Sequence, residues 1–160
     1  MPEARMNMLL KVTDEQAGAL AGNLADAQQI SDNFVFNTTS LGVTTLLVHA
    51  DTYTFSGTTV TVDLTAILDI FGVTQDLDTA VIYACAVKPL GANLVNCAEA
   101  AANGYGLFPL SPGIDVFPGG VLMQRSVAGF GTIAGGSAQD LTFTGTNGQS
   151  FQMALVAGIA

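Results

Sequence analysis

The sequence predicts an all-β protein: an antiparallel β-sandwich of the jelly-roll type, with an extended N-terminal arm and one short helix. Roughly eight or more short segments rich in Thr, Val and aromatic residues follow one another after residue 33, as in sandwich folds. Turn sequences such as PGG, AGGSA and TNG separate them. In TTVTVDL, Val60, Val62 and Leu64 alternate with polar residues, which is the period of a half-buried strand.

The composition indicates one domain that assembles with partners. A chain of 160 residues can bury a sizeable core, and 49% of its residues are hydrophobic. Only 11% are charged, against about 25% in an ordinary soluble domain, so much of the surface must be neutral or covered. Thirteen acidic and four basic residues give a net charge of −9, which disfavours nucleic-acid binding because phosphates would be repelled.

Residues 1–32 differ in pattern from the remainder and are predicted to form the N-terminal arm, with the sandwich in residues 33–160. RMNMLLKV is compatible with a short strand. Residues 14–30 are rich in Ala and Gln, and their apolar positions recur at spacings of three and four, which predicts a weak helix. Gly18 and Gly22 each cost such a helix about 1 kcal/mol relative to alanine. We therefore expect this helix to order only against a partner.

Membrane insertion, secretion and a disulfide are not expected. No segment approaches the ~18 consecutive apolar residues of a membrane-spanning helix. Acidic residues flank the short apolar segment near the N-terminus, which is atypical of a secretory signal. Cys85 and Cys97 are expected as free thiols, and the alternation of VIYACAV is consistent with a small buried side chain at Cys85.

From residue 34 onward the sequence predicts strands in succession. TYTF and TTVTV, on either side of Ser56-Gly57, predict a hairpin. DLTAILDIFG predicts the short helix, with Asp63 as its cap and Gly72 at its end. PGG predicts a reversal of the chain between IDVF and VLMQ. Further strands are predicted in TAVIYACAV, ANLVNCA, QDLTFTG and SFQMALVAG.

No recognised catalytic or cofactor motif is present, and no cofactor is predicted. His49 is the only histidine, and without a G-x-S-x-G sequence an ordinary strand histidine is favoured over a catalytic base. Thirteen carboxylates always offer pairs suited to glycoside hydrolysis, so that signal is weak. Calcium is a minority hypothesis for four aspartates whose spacing does not match an EF-hand loop: Asp63, Asp69, Asp76 and Asp78.

Gly119 and Gly120 raise the question of a backbone cradle for a phosphate or oxyanion. Such a cradle needs a helix start and usually a basic residue close by. The sequence VLMQ instead continues as a strand, and Arg125 lies five residues beyond Gly120. A Pro-Gly turn is therefore the favoured interpretation.

The order of these features resembles the small jelly-roll proteins of tailed bacteriophages, including capsid decoration or cement proteins. The resemblance rests on YTFSGTTVTVDL, TAILDIFG, TAVIYACAV, GIDVFPGGVLMQ and the final pair LTFTGTNGQSFQMALVAG. It covers about residues 34–160, and its motifs are strand and turn patterns. The resemblance implies a non-enzymatic virion protein, made in the host cytoplasm, that binds the outer surface of an assembled capsid and stabilises contacts between major capsid subunits.

The resemblance also implies partners and a binding segment. The partners are the major capsid protein and other copies of this chain, with a homotrimer first and a dimer second; nucleic acid and membrane are not among them. The arm would reach neighbouring subunits, and its apolar residues are the candidate partner-binding residues: Met6, Met8, Leu9, Leu10, Val12, Leu20 and Leu24. Alternatives left open are a head-fibre or receptor-binding module, with ANGYGLFPLSPG as a ligand surface, and a self-assembling single jelly-roll capsid subunit. A sugar-binding domain or hydrolase ranks last.

Overall fold

The computed structural model describes residues 3–12, 28–69 and 72–159, with the backbone alone for 3–12, 28–35 and 37. Extended segments dominate, as the Thr-rich and Val-rich sequence predicts. The elements in chain order are β1 (Glu3–Val12), β2 (Gln28–Asn37), α1 (Thr38–Leu41), β3 (Thr45–Thr54), β4 (Thr59–Asp63), β5 (Ile67–Leu68), β6 (Thr74–Gln75), β7 (Val81–Pro89), β8 (Val95–Glu99), β9 (Ile114–Val116), β10 (Leu122–Arg125), β11 (Asp140–Thr144) and β12 (Ser150–Ile159).

Eight of these strands form two four-stranded antiparallel sheets. The first sheet has the order β10-β7-β12-β3, and the second sheet has the order β4-β11-β8-β9. Apart from β8 to β9, every connection between successive sandwich strands passes from one sheet to the other. This strand order is that of an eight-stranded jelly roll, so the predicted fold class is confirmed.

The predicted hairpin at Ser56-Gly57 is wrong, because its two strands lie in opposite sheets. Residues 52–54 of TYTF end β3 in the first sheet, and residues 59–62 of TTVTV begin β4 in the second. Phe55 is buried in the connection, and its N–H donates to the Gln149 carbonyl at 2.9 Å. At the other end of the connection, the Thr58 carbonyl accepts the Gly145 N–H at 2.9 Å. The buried ring and these two bonds carry the chain across the core instead of back along its own sheet.

The helix predicted in DLTAILDIFG is also wrong, and the described helix is instead α1. The Asp63 carboxylate accepts hydrogen bonds from the Thr65 N–H at 2.8 Å and the Thr65 hydroxyl at 2.7 Å, which closes a turn directly after β4. Ile67 then enters β5 with its side chain buried, pairing with Gln75 of β6. An aspartate that can cap a helix can equally close a turn on its own backbone, and here burial of the next residues favours the turn.

The core lies between the two sheets. Phe143 of the second sheet and Phe151 of the first have fully buried rings whose centroids are 4.6 Å apart. Phe151 also packs against Phe55 at 5.3 Å and stacks on Tyr53 at 5.4 Å. Burial of these rings and the favourable geometry of their contacts both stabilise the packing of one sheet on the other.

A second, smaller cluster covers part of the outer face of the first sheet. A register shift after Val156 leaves Tyr83 unpaired in the β7–β12 ladder, as at a β-bulge. Phe36 at the end of β2 and Val43 after α1 pack with this Tyr83 and with Val156. The segment from Phe36 to Val43 is thereby anchored to the sandwich.

The N-terminal segment forms a hairpin of its own. β1 and β2 pair antiparallel in an unbroken register from Glu3↔Asn37 to Val12↔Gln28, as a separate two-stranded sheet. The strand predicted in RMNMLLKV is confirmed. The predicted boundary between the arm and the sandwich, between residues 32 and 33, falls inside β2. β2 therefore contains residues of both predicted segments. The helix predicted over residues 14–30 lies mostly outside the described residues, and its last three residues belong to β2.

Candidate interaction surfaces

Five of the seven predicted partner-binding residues lie on β1. The register places Met6 opposite Phe34, Met8 opposite Asp32, Leu9 opposite Ser31, Leu10 opposite Ile30 and Val12 opposite Gln28. Leu20 and Leu24 lie outside the described residues.

The β1–β2 hairpin is long for a sheet of two strands. Ten residues per strand extend roughly 33 Å at the rise of a β-strand. A two-stranded hairpin is marginally stable by itself in water, so a hairpin of this length is expected to gain stability from a further surface. In the described part of the chain, no third strand pairs with β1 or β2.

His49 is a structural residue of the first sheet. It is 1% exposed, its Nδ1 lies 2.5 Å from the Leu68 carbonyl, and its Nε2 lies 3.0 Å from the Tyr53 hydroxyl. A carbonyl can only accept, so in the neutral ring Nδ1–H donates to Leu68 and Nε2 accepts from Tyr53. Burial raises the pKa of the Tyr53 hydroxyl to about 12, and Asp51 adds to the rise. The arrangement ties β5 to the edge strand β3.

The two cysteines are free, as predicted, and both are buried. Burial raises the pKa of the Cys85 thiol, with a smaller contribution from Cys97. Burial also raises the pKa of Cys97 to about 12, and Asp115 adds to this effect. Because the thiolate is the reactive form, burial and these raised pKa values disfavour reaction at both thiols.

The four aspartates of the calcium hypothesis accept backbone hydrogen bonds: Asp63, Asp69 and Asp76 within local turns, and Asp78 from a distant loop. The Asp69 carboxylate accepts the Val73 N–H at 2.9 Å, and that of Asp76 accepts the Asp78 N–H at 2.9 Å. The Asp78 carboxylate in turn accepts the Gly135 N–H at 2.8 Å. Nowhere in residues 3–12, 28–69 and 72–159 do three His, Cys, Asp or Glu side chains group as a metal site would require.

Gly119 and Gly120 form a turn that changes sheet, so the reversal predicted between IDVF and VLMQ is corrected to a crossing. The Gly120 N–H donates to the Phe117 carbonyl at 2.9 Å, and Gly119 has a φ of 78°. With Pro118 at the second position, this is a type II turn, in which glycine supplies the positive φ. β9 before the turn belongs to the second sheet and β10 after it to the first. The turn displays Phe117, whose side chain is 63% exposed.

Four connections meet at the end of the sandwich where Phe117 lies. The strand directions place residues 55–58, 90–94, 117–121 and 145–149 together there, and none of these loops contains Asp, Glu, Lys or Arg. We call this surface the charge-free end. Half of the eight large hydrophobic side chains that are exposed in the described residues lie on it: Leu90, Leu94, Phe117 and Val121. Sequence reasoning missed the surface, although the lack of charge in these turn sequences was a visible signal.

A cleft opens between three of these loops. It has a volume of about 510 Å³, and its lining includes Leu94, Phe117, Pro118 and Thr146. Beneath it, Gln149 is buried, and its Nε2 donates to the Asn93 carbonyl at 2.5 Å. This bond ties the 90–94 loop to the 145–149 loop and fixes one wall of the cleft.

The opposite end of the sandwich is acidic. Asp63 at the end of β4 is the register partner of Asp140 at the start of β11. Desolvation raises the pKa of the Asp140 carboxyl above its ordinary value, and repulsion from Asp63 adds to the rise. The long connection from β4 to β7 adds Asp69, Asp76 and Asp78 on this side. The molecule is therefore polarised between a charge-free end and an acidic end.

Comparisons with known proteins give one structural likeness. No protein-family model matches the chain, and no curated protein matches it. Among solved structures, the chain is similar to a chain of the Cyanophage Pam1 capsid asymmetric unit, with 9% sequence identity and a TM-score of 0.35. The likeness covers 72% of this chain and 84% of that chain.

The described residues also bear on the expectation about membranes. None of the helices in that part of the chain has the length and apolar character to span a bilayer.

Proposed function

We propose that this chain is a non-enzymatic structural protein of a bacteriophage virion, which binds the outer surface of the assembled capsid as a homo-oligomer and stabilises contacts between major capsid subunits. The observation that carries the proposal is the β1–β2 hairpin beside a jelly-roll domain. A hairpin with ten residues in each strand that forms its own sheet offers two strand edges and needs a surface to stabilise it. A neighbouring capsid subunit would supply that surface by pairing with an edge or by covering a face.

The composition of the sandwich supports attachment to a protein surface. Only 11% of residues are charged, and the charge-free end carries exposed apolar side chains. The core of a protein interface is depleted in charged residues and enriched in aromatic ones, so a low-charge surface suits assembly. His49 and both cysteines, which could otherwise suggest chemistry, are committed to the core.

Binding to capsids that lack the chain tests the proposal. The purified protein would be mixed with such capsids, from the phage that encodes it, and the bound fraction measured by sedimentation. We expect saturation at a fixed number of copies per capsid, and added stability of the capsid against heat. Failure to sediment with capsids at any concentration in the micromolar range would contradict the proposal.

A second candidate function is a capsid subunit that builds the shell itself. The eight-stranded jelly-roll order favours it, because viral capsid domains are among the proteins that use this architecture. Electron microscopy of the purified chain separates the two functions. Closed shells formed by this chain alone would establish a capsid subunit, whereas a small oligomer that adds only to preformed capsids would establish a decoration protein.

A further inference from the structure

The charge-free end has the features of a protein-binding surface. Its most exposed large side chain is Phe117, 63% exposed on a turn that Pro118 and the positive φ of Gly119 hold in one conformation. An aromatic side chain on a rigid turn loses little conformational freedom on binding, which favours such residues as anchors. The cleft beside it is bounded by loops that are hydrogen-bonded to each other through Gln149. Phe117, the knob, therefore projects from the charge-free end and also forms part of the wall of the cleft.

We infer that the charge-free end is where a second copy of this chain binds, with Phe117 of each copy entering the cleft of the other. Charge is the first reason for a second copy. At a net charge of −9 two copies repel each other, and contacts involving the acidic end would bring carboxylates together. Contact through the charge-free end keeps those carboxylates at the far ends of the two sandwiches.

Self-complementarity is the second reason. A closed oligomer requires each copy to present both a projecting group and a receiving surface. Phe117 and the cleft that includes Leu94 and Thr146 satisfy this requirement on one surface. The arrangement suits two copies about a twofold axis or three copies in a ring. The inference rests on the self-association included in the proposed function, and it leaves the β1–β2 hairpin for the capsid.

Analytical ultracentrifugation of the full chain and three variants tests the inference. Phe117→Asp and Thr146→Asp place a carboxylate in the knob and in the cleft wall; both side chains are exposed, so the fold is expected to persist. Val127→Asp is the matched control, because Val127 is also 63% exposed but lies in the β10–β11 connection at the opposite end. Circular dichroism would verify that each variant is folded. If Phe117→Asp does not fold, the association of Thr146→Asp tests the inference.

We expect the natural chain to form a dimer or trimer in the micromolar range. Phe117→Asp is expected to weaken association about 30-fold, the loss typical of a central anchor residue, while Val127→Asp associates like the natural chain. A natural chain that stays monomeric while still binding capsids would overturn the inference and the self-association included in the proposed function, but it would leave the proposed capsid attachment standing. Loss of capsid binding by Phe117→Asp with the oligomer intact would also overturn it, because the occupant of this end would then be the capsid.

Discussion

Gly119 has a backbone φ of 78°, a conformation that costs a residue with a Cβ atom roughly 1–2 kcal/mol. The sequence raised this glycine pair as a possible anion cradle, and the structure places it in a type II turn whose hydrogen bond runs from Gly120 to Phe117. The consequence for function is indirect but specific. The turn holds Phe117 outward at the charge-free end, where the proposed contact between copies is made.

Replacing Gly119 by alanine tests this role at the level of a single residue. We expect Gly119→Ala to lower the free energy of unfolding by about 1–2 kcal/mol, because alanine is strained at positive φ. Gly57→Ala is the matched control. A Cβ added at either glycine meets no atom within 4 Å, and Gly57 does not have a positive φ. Urea unfolding followed by circular dichroism gives both values, and equal losses would show that the φ of Gly119 is not what matters.

The strands divide into those that build the core and those that extend from it. Phe143 on β11 and Phe151 on β12 carry the contact between the two sheets, since both are fully buried with centroids 4.6 Å apart. β1 and β2 form the hairpin, with Phe36 of β2 packed against the outer face of the first sheet. Stability is thus expected to depend on β11 and β12, and attachment on β1 and β2.

Truncating a core ring tests the first half of this division. Phe143→Ala and Phe151→Ala are each expected to lower the free energy of unfolding by about 3–5 kcal/mol, through lost burial and the cavity left behind. Val127→Ala is the control, because its side chain is 63% exposed and lies away from the charge-free end, and its cost is expected to stay within about 0.5 kcal/mol. Chemical denaturation measures all three. A core variant that unfolds at the same denaturant concentration as the natural chain would contradict the assignment.

Removing residues 1–33 tests the second half. The deletion takes away β1 and most of β2 but keeps Phe36 and its contacts with Tyr83 and Val156. We expect the shortened chain to retain a cooperative thermal transition and to bind capsids at least about tenfold more weakly, as for loss of more than ~1.4 kcal/mol of contact energy. If the shortened chain is unfolded, the hairpin is part of the folding unit, and its assignment as an attachment arm fails.

The sequence predicts individual strands better than it predicts which strands pair. Alternation of the kind seen at Val60 and Val62 predicts a strand, because it is a local property of the pleat. It does not say which strand lies alongside, so the connections at Ser56-Gly57 and Gly119-Gly120 were predicted as reversals and are crossings between sheets. The helix predicted from Asp63 failed for a related reason: the same carboxylate can cap a helix or close a turn, and tertiary burial decides.

The candidate surfaces were predicted less completely than the fold. The strand β1 was predicted because its apolar residues lie close together in the sequence. The charge-free end was not, because its exposed side chains come from loops that are distant in the chain, such as Leu94 and Phe117, and meet only in three dimensions. A surface assembled by topology is visible from sequence only once the strand order is known.

At the scale of the whole molecule, charge is unevenly placed. The chain has a net charge of −9, the four loops at one end contain no charged residue, and Asp63 and Asp140 face each other across β4 and β11 near the other end. This polarity gives copies of the chain one end at which they can meet with less carboxylate repulsion than at the acidic end. It also makes stability depend on pH in a definite direction.

Asp140 sets that direction. Its carboxyl has a raised pKa in the folded state, from desolvation and then from Asp63, so the folded protein disfavours its ionised form. The protein is therefore most stable with respect to this group below the unfolded pKa, and stability falls as the pH rises through the higher folded value.

We expect Asp140→Asn to raise the melting temperature at pH 7 and to leave it unchanged at a pH well below 3.8, the ordinary value, where the natural side chain is also neutral. Water screens this partly exposed site, so the gain is expected to be small. Equal effects at both pH values would assign the change to something other than charge.

The proposed function places the chain in a virion, on the capsid surface. Quantitative mass spectrometry of purified virions, with the major capsid protein as the internal standard, measures whether it is there. We expect the chain to be present in hundreds of copies per particle, in a fixed ratio to the capsid protein. We also expect it to be removed before the capsid protein when the particle surface is stripped by mild denaturant. Absence of the chain from purified virions would show that the proposed function is wrong.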